Sequence, residues 1–194
     1  MRQSFNDYVE SGGTMPDFSN KENDPFWDPP EPILIGKSYL QLKNLGYTLD
    51  CEAEPPIFTT ATNIPGGVGG KLKCAYWPCD IGGDGEPEDD LLVDEPAELL
   101  NKEIFFRVEV LSCSDLPNDL CKDVFVTYIM KHEPDVIHRV PAFEGKTQNP
   151  NFNFKKVHRI EDVNDYILDY FNTGNVSRFV FRDAALTRLA LSSL

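Results

Sequence analysis

The stretch SCSDLPNDLCKDVFVTYIM, residues 112–130, sets three carboxylates, Asp115, Asp119 and Asp123, between two apolar runs. Carboxylates at that density are the raw material of a calcium site, which needs six to eight oxygens. Asp115 precedes Leu116 and Pro117, a position where its side chain is expected to cap the turn. Other chemistries find less support. GGVGGKLK departs from the phosphate-loop pattern in spacing and lacks the Ser or Thr that would hold magnesium. The five cysteines, Cys51, Cys74, Cys79, Cys113 and Cys121, have no paired C-x-x-C spacing, so neither a zinc site nor a disulfide framework is expected. The histidines, His132, His138 and His158, fall in strand or strand-end text with no assignable catalytic partner. No catalytic residue, metal or cofactor is therefore assigned, and the chain is not expected to be an enzyme.

The elements that must position these residues read as mainly β. With 194 residues, 41% of them hydrophobic, the chain can bury a core, and the length favours one domain. Residues 1–23 are polar and acidic, the composition of a flexible lead-in. Residues 24–32, DPFWDPPEP, form an extended Pro-rich arm expected to dock Phe26 and Trp27 on the folded body. Strands are expected near 33–45, 47–58 and 70–78, with NIPGGVGG as a tight turn. Further strands follow in EIFFRVEVLSC, DVFVTYIM, VIHRVPAF, NFNFKKVHRI and VSRFVFRDA. One short helix interrupts them, with Val163, Ile167, Tyr170 and Phe171 on its apolar stripe and Gly174 as its stop. The sandwich is thus expected over 33–183, with an amphipathic tail over 184–194 that could begin a helix.

Charge narrows the partners. A formal charge of −14 argues against nucleic acid. No apolar run approaches a membrane span, and the start lacks the regions of a signal peptide, so a cytosolic address is expected. Residues 80–96, DIGGDGEPEDDLLVDEP, hold eight acids without a basic residue among them and read as an exposed acidic loop, with Glu86, Glu88, Asp89 and Asp90 as its contact residues. Cations gather later: Lys131, Arg139, Lys146, Lys155, Lys156 and Arg159 are the candidate lipid or partner face. Alternation along NFKKVHR puts Lys155 and Arg159 on one face and Lys156 and His158 on the other, which divides that charge.

Two resemblances rest on these residues. FRVEVLSCSDLPNDLCKDVFVTYIM followed by GKTQNPNFNF resembles the C2 domain, an antiparallel β-sandwich, whose corner implies that Asn149 and Pro150 turn the chain, Phe152 plugs the sandwich end and Asn153 bonds backbone across the turn. More of the chain, from NDPFWDP through ILIGKSYLQLKNLGY, WPCD, the acidic loop, VDEPAELLNKEIFFRVEVLSCSDLP and ILDYFNTGNVSRFVF, resembles the stalk-to-tail region of kinesin-3 motors. The resemblance leans to a lineage with a polycystin-transporting worm ciliary member and mitochondria-linked vertebrate relatives.

The C2 likeness implies a calcium cage built from two loops. Asp119 and Asp123 match the first, while the second offers Asp183 beside Arg182 and no further acid. Half the cage is missing, so a structural or solvated role is expected of these acids. The kinesin likeness implies a non-catalytic tail domain that binds cargo or cargo membrane, or that docks on its own motor and autoinhibits it. The implied partners are the motor or neck region, a cargo adaptor, or membrane lipids. Microtubules would be reached through a motor domain this sequence does not contain. The implied address is the microtubule cytoskeleton, at a cilium or the mitochondrial surface.

Overall fold

The computed structural model describes residues 32–59 and 67–182. The lead-in over 1–23, the arm with Phe26 and Trp27, Asp183 and the tail over 184–194 lie outside the described residues.

Ten strands follow in chain order: β1 (Ile33–Gln41), β2 (Cys51–Ala53), β3 (Pro56–Phe58), β4 (Val68–Cys79), β5 (Ile104–Ser114), β6 (Lys122–Met130), β7 (Glu133–Arg139), β8 (Phe143–Lys146), β9 (Asn151–Ile160) and β10 (Asn175–Arg182). Among the described residues one α-helix, α1 (Asp165–Thr173), precedes the last of them. They pair in the order β7-β6-β10-β1-β3-β4-β5-β9, with β2 beside β4 and β8 beside β6. The architecture is therefore mainly β, a curled antiparallel sheet with a short helix toward the C-terminal end, as expected. The curl encloses one apolar cluster drawn from β1, β4, β5, β6, β9 and α1.

Alternation decides which faces meet in that core. In β5, Ile104, Phe106, Val108 and Val110 are buried; in β6, Val124, Val126, Tyr128 and Met130 are. β6 also buries Phe125 on its other face, where the Arg139 guanidinium lies 4.0 Å from the ring centroid. The first expected strand ends early, at Gln41, and a 3-10 turn over Lys43–Tyr47 follows with Leu42 and Leu45 buried three residues apart. The second divides into β2 and β3, because Pro55 and Pro56 have no N–H to give a ladder.

Two close approaches require glycine. At Gly70, φ is +106° and a Cβ would lie 2.4 Å from the Ser114 carbonyl oxygen across the β4–β5 ladder. At Gly174, which ends α1, a Cβ would meet the Tyr170 carbonyl oxygen at 2.1 Å. At the other end of α1, the Asn164 side chain accepts from the Ile167 N–H at 3.1 Å.

The β8–β9 corner differs from expectation in its bonding residue. Asn149 accepts the Asp115 N–H at 3.1 Å, and Gln148 donates to the Leu116 carbonyl at 2.8 Å. Asn153 instead stands exposed at φ +48°, where the β5–β9 register shifts by a bulge. Asp115, at φ +56°, joins the turn through its backbone, so its side chain is not the cap. Phe152 is half-buried against the core.

Candidate functional site

β7 and β9 end the strand order, yet the curl brings them together. Their side chains meet across the gap, and the meeting place holds all three histidines of the chain. His138 lies opposite Tyr128 in the β6–β7 register and His158 opposite Phe106 in the β5–β9 register. His132 sits in the turn between β6 and β7, with Glu133 opening β7.

The hydrogen bonds here fix much of the chemistry. Lys156 Nζ lies 2.9 Å from His138 Nδ1, and an ammonium can only donate, so His138 Nδ1 accepts. The proton of His138 therefore sits on Nε2, which donates to Glu133 Oε2 at 3.0 Å. The same Glu133 oxygen is 3.5 Å from His158 Nδ1, while His158 Nε2 is 2.9 Å from the Tyr128 hydroxyl. The Phe106 ring stacks on His158 with centroids 5.5 Å apart and meets His132 edge-on at 5.9 Å. Both ring nitrogens of His132 are buried without a hydrogen-bond partner among the described residues. One donor atom each from His132, Glu133 and His158 lie within 4.8 Å of one another. Beside them opens a cleft of about 480 Å³, lined by Lys131, His132, Glu133, Arg159, Asp162 and Tyr166 among others.

Burial holds His132 below its ordinary pKa, opposed by the Glu133 carboxylate and aided by His138. Burial likewise lowers His138, and the Lys156 ammonium adds to it against Glu133. These shifts set a direction for acid stability. Below the ordinary histidine value of 6.5, the unfolded chain takes up protons that the folded chain refuses, so stability falls as pH falls from there toward the depressed folded values. The urea midpoint is expected to drop between about pH 7 and about pH 5, ahead of carboxylate titration near pH 4. A His132→Gln, His138→Gln chain should flatten that drop; an unchanged slope would show that these imidazoles do not control it.

Asp119 and Asp123 do not belong to this cluster. Asp123 is 3% exposed at φ +52°, and its Oδ1 accepts the Gly145 N–H at 2.8 Å, tying β6 to β8. Asp119 is exposed in the turn before β6.

The cations are largely engaged. Lys155 pairs with Glu109 at 3.1 Å, and Arg159 pairs with Glu103 and, at 3.0 Å, with Glu161. Lys156 holds His138, Arg139 covers Phe125, and Lys131 lies 4.3 Å from the Tyr166 ring centroid. Lys146 is exposed opposite Lys122.

The acidic segment is anchored at several points. Arg107 donates to the Gly83 carbonyl and reaches Asp84 Oδ1 at 3.2 Å, while its Nε binds Glu109 at 2.8 Å. Lys102 donates to the Asp90 carbonyl, Asp80 Oδ1 accepts the Gly83 N–H at 2.7 Å, and Leu91 enters the core. Expected as a solvated loop with no local cation, the segment takes its compensation from β5 and the residues just before it. Glu86, Glu88 and Asp89 remain exposed, and a cleft of about 350 Å³ beneath includes Asp80, Glu88, Asp90, Lys102 and Glu103 in its lining.

Sequence reasoning missed the histidine cluster. Its one local signal was the alternation that put His158 and Lys156 on a common face; the rest depends on sheet closure.

The chain is similar to kinesin-like proteins. It is 25% identical to the human kinesin-like protein KIF28P over 157 residues, which cover 79% of this chain and 16% of that protein. Over 128 residues it is 27% identical to the rat kinesin-like protein KIF28, covering 64% and 12%, and over 155 residues 26% identical to the mouse KIF28, covering 76% and 14%. The chain thus spans about a seventh of the length of the curated relatives it matches. No family model matches it.

Proposed function

We propose that the chain is a non-catalytic, C2-like tail region of a kinesin-3-type microtubule motor, acting in the cytoplasm on the cytoskeleton. It works by protein contact through the acidic segment, on a cargo adaptor or on the motor and neck of its own protein. One observation carries the choice of protein over lipid. The cations of the expected lipid face are largely held by acids, rings or His138, whereas Glu86, Glu88 and Asp89 stand exposed on an anchored segment. An anionic bilayer would meet mostly that negative field, while a basic protein surface would be drawn by it over about 8 Å at physiological salt. The similarity to kinesin-like proteins supports the motor context.

The test measures binding of the chain to the motor-neck segment of its parent protein and to phosphatidylserine vesicles. Wild type is compared with Glu86→Ser, Glu88→Ser, Asp89→Ser, which leaves the Asp90–Lys102 and Asp84–Arg107 contacts intact. Salt-sensitive motor binding that falls about tenfold or more in the variant is expected, with no vesicle binding. Vesicle binding that improves in the variant would instead make this a membrane module.

A further inference from the structure

The seam between β7 and β9 concentrates donors that structural packing alone leaves unexplained. A buried polar atom without a partner costs stability, and His132 has two such nitrogens. Tyr128, Lys156 and His138 leave the cluster's other nitrogens committed in a pattern that turns particular atoms toward one point. His158 Nε2 is taken by the Tyr128 hydroxyl, which leaves Nδ1 directed at Glu133 Oε2, 3.5 Å away. Glu133 Oε2 is in turn fixed by the His138 N–H.

We propose that His132, Glu133 and His158 bind a divalent transition-metal ion of the zinc class at this seam, with water from the adjoining cleft as the fourth ligand. Two imidazoles and one carboxylate suit zinc, and a single carboxylate is too few oxygens for calcium. A tetrahedral zinc holds nitrogen and oxygen donors about 3.3 Å apart, close to the Glu133–His158 separation. Bringing His132 in from within 4.8 Å takes a shift of no more than about 1.5 Å, which rotation of a half-buried turn residue supplies.

The outer contacts are of the kind that tune such ligands. Tyr128 orients the ligating His158, and His138, itself held by Lys156, orients the Glu133 carboxylate. Ligation requires the imidazoles of His132 and His158 in their neutral form. The cleft gives the ion a route from solvent past His132 and Glu133. The cysteines do not compete at this place: none belongs to the cluster, and burial pushes the Cys79 thiol up to about 11 and raises Cys113 as well.

The test uses the full chain, stripped with chelator and kept reduced, and titrated with Co²⁺ and then with Zn²⁺ in competition. One ion per chain is expected, with the visible bands of four-coordinate Co²⁺ and without a thiolate charge-transfer band. Zinc should displace the cobalt and raise the thermal midpoint. His132→Gln, at a half-buried turn, should keep the fold and weaken binding about 100-fold or more, and Glu133→Gln should weaken it as well. His158→Gln removes a core contact along with a ligand, so the decision rests on the other two variants. The proposal is overturned by binding no tighter than about 100 µM, by thiolate bands, or by affinity that His132→Gln leaves unchanged.

Discussion

Phe106→Ala is expected to remove about 3–5 kcal/mol of stability, a large share of the 5–15 kcal/mol that holds a domain of this kind. The side chain is fully buried on β5, and its ring is the floor on which His158 stacks and against which His132 abuts. Its loss opens a cavity beside polar groups, so the void adds to the lost transfer energy. Urea denaturation followed by near-ultraviolet circular dichroism measures the change. Phe106→Leu, which refills most of the space, should recover the larger part. A Phe106→Ala loss below about 1 kcal/mol would mean that the ring does not pack as described.

Gly70→Ala should cost about 2–4 kcal/mol, while Gly67→Ala, only three residues earlier, should cost about 1. Both glycines have positive φ, +106° and +65°, but their surroundings differ. The nearest atom to an added Cβ at Gly67 is the Thr59 carbonyl oxygen at 3.5 Å, ordinary contact, so the penalty is the left-handed backbone alone. At Gly70 the added carbon would lie 2.4 Å from the Ser114 oxygen, and backbone cannot rotate aside as a side chain can. The β4–β5 ladder must then shift at Lys71–Ser114, next to the corner that carries Asp115. Equal denaturation midpoints for the two variants would contradict this geometry.

Much of the fold was legible because β5 and β6 turn one face to a single core, and a two-residue period records that directly. Ile104, Phe106, Val108 and Val110 could be placed from their spacing. So could α1, where Ile167, Tyr170 and Phe171 share a stripe and Gly174 ends it. What stayed hidden required long-range pairing. Nothing local to Arg107 says that it holds Asp84, and nothing local to His138 says that Lys156 arrives on its Nδ1 from another strand. In the acidic segment, Glu86, Glu88, Asp89 and Asp90 are exposed, while the segment itself is anchored by Arg107 and Lys102. The cationic set is mostly spent on neighbours from other elements, Glu109 and Glu103 beside the β5–β9 ladder and, across the curl, His138.

The position of β10 has a kinetic consequence. Among the described strands it is the last in the chain, yet it lies between β6 and β1 and pairs with both. Along the strand order, β6 with β7 and β8 on one side reaches β1, β3, β4, β5 and β9 on the other through β10. Its partner β1 stands at the opposite end of the described sequence, so their pairing closes a loop of well over a hundred residues, an entropic toll met before any of those ladder bonds forms. Folding that depends on such a closure is slow. In any state in which residues 175–182 have not docked, the edges of β1 and β6 that face β10 are left without their ladder partner.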